Sequence, residues 1–219
     1  MFVACRLVTG QNLPTERTDL SNLAGSNQDL LLRDLGPILK AVGAAGRLYV
    51  HSTCSEDSEN AFFFPRFKVK PGTNGKAGPA AIQNALAKNK NIRVAQRRSG
   101  VIGIWLGEVS NDLLGTKIHV LRLGPPQRYN YQKAIAAIID TREVQAKMRS
   151  ARMEAMPEVA IYPIVAPDPK LPHLPASMTD LTMDEALDRI AQTFSGLVIY
   201  EECKGQNSTR LFSVLMLEM

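Results

Sequence analysis

The sequence is poor in the residues that usually build catalytic or metal sites, and it has no long apolar run. Its 219 residues include only three cysteines, three histidines and one tryptophan. The cysteines form no CxxC pair and have no histidine at zinc-finger spacing, which excludes the common structural zinc motifs. The best apolar run, 134–139, falls far short of the roughly 18 residues that a spanning helix needs. We therefore expect a chain that is soluble or tethered rather than membrane-spanning.

The bulk composition is that of an ordinary globular protein. Hydrophobic residues make up 45% of the chain and charged residues 21%. The formal net charge of +5 at pH 7 is modest, with basic and acidic residues both spread along the chain. It favours contact with an anionic surface only weakly.

Three short motifs resemble catalytic or ligand-binding signatures, but each lacks an essential element. His51 and Cys54 are three residues apart on a predicted strand, so their side chains point to opposite faces. The acidic run 55–59 has neither the alternating oxygen ligands nor the central glycine of a calcium loop. In the glycine-rich run 72–78, Ala77 follows the lysine where a phosphate loop needs Ser or Thr. We predict no catalytic residue, no metal, no cofactor, and a protein that is not an enzyme.

The last part of the chain predicts a capped helix followed by a β-hairpin. Thr182 and Glu185 form a T-x-x-E capping box, and apolar residues then recur at helical spacing until Gly196 ends the helix. A strand at 197–202, a polar turn and a second strand at 210–217 follow, and the two strands should pair antiparallel.

Two earlier segments show the same order of signals. In the first, 32–70, the strand "RLYVHSTC" follows a helix and two glycines, and "FFFPRFKVK" is the returning strand, placed at an edge by its proline. In the second, beginning at Gly78, a short helix precedes "NIRVAQ" and "VIGIWLGEV", which flank the turn "RRSG". The sequence thus predicts an α+β fold of repeated helix-plus-β-hairpin (βαββ) units forming small mixed or antiparallel sheets.

A different segment separates the second unit from the last. It contains a strand at 117–123, one long extra helix at about 129–156 with a wetter far half, and a strand candidate at 159–165. The proline-rich stretch 167–175 is the best linker. We predict three parts: 1–126 with two helix-hairpin units, 127–175 with the long helix, strand and linker, and 176–219 with the last unit.

The run "LTMDEALDRIAQTFSGLVIYEE" combines a capped helix, the pair Ala186 and Leu187, Gly196 and an apolar strand at 197–200. This pattern resembles the secretin and TonB N-terminal (STN-like) periplasmic βαββ module, and the resemblance is best over 179–217. Such modules stack into rings or dock partner proteins, and they have no catalytic residues to carry over. The resemblance therefore implies a non-enzymatic periplasmic interaction or assembly module of a bacterial envelope or secretion machine. Its partners would be other envelope proteins or a second copy of itself.

The cysteines bear on the compartment. In the start "MFVAC", a small residue precedes Cys5 as at the end of a lipoprotein signal, which predicts a lipid anchor on the outer membrane if a signal lies upstream. Cys54 and Cys203 would then remain as a pair that ends equivalent strands, and we predict a disulfide between them. In the chain-entropy model such a bridge, closing about 150 residues, stabilises the fold by about 3 to 5 kcal/mol. In a cytoplasmic protein all three would instead be small buried side chains.

Two surfaces are predicted to contact a partner, the last strand, 210–217, and the wet half of the long helix. The residues are Arg142, Lys147, Arg149, Arg152, Arg210, Phe212 and Val214. One alternative is a ligand-binding protein or enzyme with a site between the repeated units. Another is a basic nucleic-acid module built on Lys88, Lys90, Arg93, Arg97 and Arg98, but the nearby Trp105 lies among apolar residues, so we expect no nucleic acid.

Overall fold

The computed structural model describes residues 29–30, 39, 44–53, 67–68, 82, 92–156, 167–204 and 209–218. These residues form an α+β fold. In chain order its elements are β1 Asp29–Leu30, β2 Gly46–Thr53, β3 Phe67–Lys68, β4 Ile92–Gln96, β5 Ile102–Leu106, α1 Asn111–Leu114, β6 Lys117–Arg122, α2 Pro125–Arg128, α3 Tyr131–Ile139, α4 Arg142–Ala151, β7 Met153–Ala155, β8 Ser177–Thr182, α5 Met183–Thr193, β9 Gly196–Lys204 and β10 Arg210–Glu218.

A mixed six-stranded sheet organises the molecule. Its order is β4-β5-β2-β9-β10-β7, with β5, β2 and β9 mutually parallel at the centre. β4 and β10 run antiparallel to their inner neighbours, and β7 runs parallel to β10. Strands from all three predicted parts of the chain enter this sheet, so it is continuous across both predicted boundaries. Two further pairs, β1-β3 and β6-β8, form two-stranded sheets.

The sheet is covered by apolar side chains on both faces. Tyr49 and Tyr200 project toward a core shared with α1, α3, α4 and α5. Their neighbours Leu48 and Ile199 project to the opposite face, where they meet the helical residues Leu39 and Ile82. Burial on both faces explains why β9 reads as a continuous apolar run rather than an alternating one.

The predicted helix and hairpin of the last unit are confirmed. The Thr182 hydroxyl accepts from the Glu185 N–H at 3.2 Å, and the Glu185 carboxylate accepts from the Thr182 N–H at 2.7 Å. β9 and β10 pair antiparallel along their whole length. The left-handed residue after the helix is Ser195, with φ 50°, while Gly196 already begins β9. Gly196 serves close packing, because an added Cβ would lie 2.8 Å from the Leu217 carbonyl oxygen.

The middle unit also has its predicted hairpin, but the first unit does not. β4 and β5 pair antiparallel around the turn 97–100, in which Gly100 adopts φ 87°. β2 is bordered by β5 and β9, so no returning strand pairs with it. The described part of the predicted returning strand, β3, pairs with β1 instead. The prediction of a hairpin in the first segment is therefore corrected.

The segment between the units differs from its prediction in two places. The long helix is interrupted, since α3 ends at Ile139 and α4 begins at Arg142, and Arg152 turns the chain into β7 with φ 51°. The proline-rich stretch is packed rather than free, because Leu174 is buried and its N–H donates to the Arg128 carbonyl at 2.9 Å. The strand that a βαββ unit has before its helix is present as β8, but it pairs with β6 in a separate two-stranded sheet and not with the hairpin. The strand candidate 159–165 lies outside the described residues.

Within the part of the chain that the structure describes, no helix has both the length and the apolar character needed to cross a bilayer.

Candidate functional site

Two arginines and two aspartates form a buried network between the sheet and α5. Arg47, on β2, has a fully buried side chain that lies 3.1 Å from Asp184 and 3.2 Å from Asp188. Arg97, directly after β4, places Nε 2.8 Å from Asp188 and Nη2 2.5 Å from Asp184. The two aspartates are four residues apart and so share one face of α5. The two positively charged guanidinium groups and the two negatively charged carboxylates give the network no net charge.

Neutral side chains add hydrogen bonds to this network, although Nε and Nη2 of Arg47 have no hydrogen-bond partner within the described part of the chain. The Tyr49 hydroxyl donates to Asp184 at 2.8 Å, and the Ser99 hydroxyl donates to Asp188 at 2.6 Å. The Gln192 side-chain amide donates to the Ser99 carbonyl. Through these bonds the β4-β5 turn of the middle unit is held against the helix of the last unit.

Burial and neighbouring charges shift the pKa values of Tyr49 and Arg97 within the network. Burial raises the pKa of the Tyr49 phenol well above its ordinary range; Arg47 opposes this rise and Asp184 reinforces it. Burial lowers the pKa of Arg97, but the hydrogen bond to Asp188 and the charges of Asp184 and Asp188 raise it and leave the pKa above its ordinary value. Tyr49 therefore stays a hydrogen-bond donor and Arg97 stays a cation, as a structural network requires.

An aromatic stack adjoins the network. The rings of Trp105 and Tyr49 are parallel within 4° with centroids 5.0 Å apart, and the Arg93 guanidinium lies 4.3 Å from the Trp105 ring centroid. Trp105 folds back over Gly103, where an added Cβ would lie 2.7 Å from the indole Cζ3. Tyr49 and Arg93 each pack on the Trp105 ring, so stacking by a base would require one of them to move.

Two clefts flank this stack. A cleft of about 1270 Å³ lies between the β4-β5 turn, β8 and α5. It is lined by Arg98, Ser99, Glu185, Asp188, Arg189 and Gln192, among others. A second cleft, of about 810 Å³, lies beside Trp105 and the loop from β5 to α1. In the larger cleft the charge of Asp188 is already paired, which leaves Arg98, Asp180, Glu185 and Arg189 as its exposed charged groups.

A second polar cluster lies at the carboxyl ends of β2 and β9. The Glu202 side chain, 3% exposed, accepts hydrogen bonds from the Ser110 N–H at 3.1 Å, the Tyr200 hydroxyl at 3.1 Å and the Arg210 guanidinium at 3.1 and 3.2 Å. His51 stands opposite Glu202 in the parallel register, with Nδ1 3.6 Å from Oε1 and 44% of its side chain exposed. At 3.6 Å the two side chains lie beyond hydrogen-bond distance, so Glu202 does not orient the imidazole of His51 as a general base. This proximity of His51 to Glu202 was not predicted, because the register of β2 against β9 cannot be read from one segment.

Neighbouring charges tie this cluster to α4. Arg210 lies 3.0 Å from Asp112, and Lys147 lies 3.7 Å from the same carboxylate. The hydrogen bond with Arg210 is the main reason that the pKa of Asp112 lies below its usual range. A hydrogen bond with Ser110 and the positive charge of Lys147 lower this pKa further. Burial raises the pKa of Tyr200, and the adjacent Glu202 raises it further.

The predicted contact residues fall into different environments. Phe212 and Val214 are buried in the core and Arg210 is held by Glu202, which removes these side chains from the predicted contact surface. β10 is also not a free edge throughout, because β7 pairs with its first three residues. The predicted helix surface does lie at the exterior. Arg142, Arg149 and Arg152 are exposed and Lys147 is half-buried.

The cysteines are described only in part. Cys203 is disulfide-bonded and lies opposite Ser52 of β2 in the parallel register. Cys5 and Cys54 both lie outside the described residues. The pairing of Cys54 with Cys203 and the lipidation of Cys5 stay predictions.

Comparison of the chain with protein-family models, with curated proteins and with solved structures gives no match. The STN-like resemblance of the last unit therefore stays a prediction. Among the described residues, no three His, Cys, Asp or Glu side chains come close enough together to hold a metal ion.

Proposed function

We propose that this chain is a non-enzymatic docking module of a bacterial envelope or secretion machine, and that it binds a partner protein by adding a strand to the outer edge of β4. The last unit has the order strand, helix, hairpin in β8, α5, β9 and β10, which is the order of the STN-like modules that it resembles. Those modules act by docking other chains, and the supporting observation on this chain is the edge of β4.

The main chain of β4 points outward at every second residue. The Arg97 N–H donates to the Val101 carbonyl at 2.9 Å, so residue 97 faces β5. Because the direction alternates along a strand, residues 93 and 95 also face β5, and the N–H and C=O groups of Ile92, Val94 and Gln96 face away from it. Within the described ranges, β4 pairs with β5 alone. Such an edge is a template for another strand.

Among the described residues, β4 has no bulge, no proline and no covering strand, but it does carry a charged residue, Arg93, which is another common protection of an edge. The register of β4 with β5 runs without a bulge from Ile92 opposite Leu106 to Gln96 opposite Ile102, and β4 contains no proline. Proteins commonly block such edges with bulges, prolines or a covering strand. At the far side of the same sheet, β7 covers the start of β10.

The compartment belongs to the same proposal. Cys203 is disulfide-bonded, and disulfides persist mainly in oxidising compartments such as the periplasm. Together with the STN-like pattern, this favours export, with Cys5 as the anchor of a lipoprotein.

In-cell photo-crosslinking tests the docking mode. A photoreactive residue replaces Arg98, which is exposed at the end of β4, and the protein is expressed in cells of its natural source. We expect a high-mass adduct that disappears with Gln96→Pro, which removes an outward N–H but no bond to β5. Gln96→Ala keeps the N–H and should keep the adduct. An adduct that survives Gln96→Pro in a protein of unchanged circular dichroism would contradict strand addition.

A second candidate is a ligand-binding protein with its site in the larger cleft. The observation in its favour is the position of this cleft between the middle and last units, with Arg98, Glu185 and Arg189 on its walls. A screen of polar metabolites by thermal shift tests it. A stabilising ligand whose effect is lost in Arg189→Ala would favour this function over docking.

A further inference from the structure

The edge strand β4 lies in the most one-sidedly charged segment of the chain. From residue 60 to residue 107 the sequence contains no aspartate or glutamate. Nine cations lie in the same segment: Arg66, Lys68, Lys70, Lys76, Lys88, Lys90, Arg93, Arg97 and Arg98. Residues 60–107 therefore carry a net charge of +9, which exceeds the +5 of the whole chain, whereas basic and acidic residues are mixed along the rest of the sequence.

Two of these cations are exposed beside the edge itself. Arg93 is exposed on β4 and lies over Trp105, and Arg98 is exposed in the turn that follows. Arg97, between them, is committed to Asp184 and Asp188. A strand paired with Ile92, Val94 and Gln96 would therefore run past two guanidinium groups that face solvent.

We propose that the partner segment is acidic, and that it places carboxylates beside Arg93 and Arg98 while its main chain pairs with the outward groups of Ile92, Val94 and Gln96. This inference rests on the proposed docking function and names the chemistry of the partner. Cross-strand pairs of opposite charge favour one sequence over another, whereas the main-chain bonds are the same for any extended segment.

A protein strand fits this edge better than a nucleic acid does. The edge offers carbonyl oxygens as well as N–H groups, and a polypeptide satisfies both while a phosphate backbone satisfies only donors. Single-strand binders also provide aromatic faces for the bases. Here the Trp105 ring is stacked on Tyr49 and carries the Arg93 guanidinium.

The test uses the full chain and four probes. Three are synthetic peptides of equal length that alternate threonine with glutamate, with glutamine or with lysine, and the fourth is an oligothymidylate. Amide hydrogen exchange, measured by NMR, shows which amides of β4 are protected when a probe binds. The amides of Ile92, Val94 and Gln96 should exchange more slowly when the Glu-Thr peptide binds, while those of Arg93 and Ala95, which already face β5, should not change.

The affinities of the peptides test whether negative charge on the partner strengthens binding. With two exposed ion pairs, the Glu-Thr peptide should bind roughly 2- to 30-fold more tightly than the Gln-Thr peptide at low salt. The double variant Arg93→Gln, Arg98→Gln should abolish this difference and leave the Gln-Thr affinity unchanged. Added salt should reduce the difference in the same way.

The outcomes separate this inference from the proposed function. Equal or tighter binding of the Gln-Thr or Lys-Thr peptide, with the same alternating protection, would overturn the acidic partner and leave docking intact. No protection of the three outward amides by any peptide would overturn both. Oligothymidylate that binds more tightly than the Glu-Thr peptide and loses affinity in the double variant would overturn the acidic partner in favour of nucleic acid.

Discussion

The guanidinium of Arg47 lies 3.2 Å from the carboxylate of Asp188, with no exposure of the arginine side chain and 3% exposure of the aspartate. The two residues are 141 positions apart, one on the central strand of the sheet and one on the helix of the last unit. Their contact joins the first and last units of the chain across the buried face of the sheet. Ser99, in the β4-β5 turn of the middle unit, donates a hydrogen bond to the carboxylate of Asp188, so the middle unit is joined to the same contact.

Asp188→Ala should destabilise the fold strongly. It leaves Arg47 and Arg97 to share the single carboxylate of Asp184, and an uncompensated buried charge costs about 3–5 kcal/mol. Urea unfolding measures the free energy of unfolding. Arg189→Ala, an exposed change on the same helix, is the control and should stay within about 0.5 kcal/mol of the wild type. A loss under about 1 kcal/mol in Asp188→Ala would mean that solvent reaches Arg47.

The capping box of α5 should stabilise the folded protein. Thr182→Ala should lower the unfolding free energy by about 0.5–2 kcal/mol, whereas Thr182→Ser keeps the hydroxyl and should cost much less.

The same capping box should make part of the stability depend on pH. The hydrogen bond from the Thr182 N–H, with a second from its hydroxyl, holds the pKa of Glu185 below its ordinary value. A lowered folded pKa adds stability above the unfolded pKa of about 4.3 and loses it as the pH falls through the folded pKa.

Glu185→Ala should therefore differ from the wild type most near neutral pH and progressively less in acid. Denaturant titrations at several pH values measure this difference. A gap between the two proteins that widens as the pH falls would contradict the sign of the pKa shift.

The elements predicted correctly are those whose signals are local. The Thr182 and Glu185 pair lies within one helical turn, and the turn 97–100 joins two adjacent strands, so each is specified by a few neighbouring residues. The break in the long helix was also local. Asp140 and Thr141 are residues that favour a cap, and Thr141 is the N-cap of α4, but the apolar stripe suggested continuity.

The partners of β2 are distant in the sequence, and only its pairing with β9 was indicated, by the predicted disulfide between Cys54 and Cys203 at the ends of equivalent strands. β2 pairs with β5 and β9, which follow it by roughly 50 and 150 residues. Parallel strands are joined by long crossover connections, so the sequence contains no short hairpin turn that would indicate the pairing. Arg47 and Asp188 each look like an ordinary charged residue within their own segment. Only the sheet order brings them together, and with it the candidate site.

Gly196→Ala should test the close approach of β9 to β10. The new Cβ would meet the terminal methyl of Met216, which can move, and would lie 2.8 Å from the Leu217 carbonyl oxygen, which cannot move without disturbing the sheet. We expect a loss of about 1–3 kcal/mol in unfolding free energy. Gly124→Ala is the control, since its Cβ would mainly meet the flexible end of Gln127. Equal losses in both variants would mean that the strand contact at Gly196 is loose.

Trp105, the single tryptophan of the chain, should report on the aromatic stack beside β4. Arg93→Ala removes the guanidinium from one face of the indole and should cost only about 0.5–1 kcal/mol, the scale of an exposed cation–π contact. It should increase quenching of Trp105 fluorescence by acrylamide, because that face becomes accessible. Arg122→Ala, exposed on β6, is the control and should leave quenching unchanged. Unchanged quenching in Arg93→Ala would show that Arg93 does not cover the ring.

The disulfide at Cys203 should stabilise the oxidised protein, and its partner can be assigned by substitution. Reduction should lower the unfolding free energy by about 2–5 kcal/mol, and after alkylation the reduced protein should be heavier than the oxidised protein, because the two thiols of the disulfide become alkylated. Cys54→Ser should leave Cys203 reactive toward a maleimide in unreduced protein, whereas Cys5→Ser should leave it protected. The opposite pattern would assign the bridge to Cys5 and remove the lipid anchor from the proposal. Free Cys203 thiol in protein taken from the periplasm would remove the disulfide as support for export, and with it the compartment that we propose.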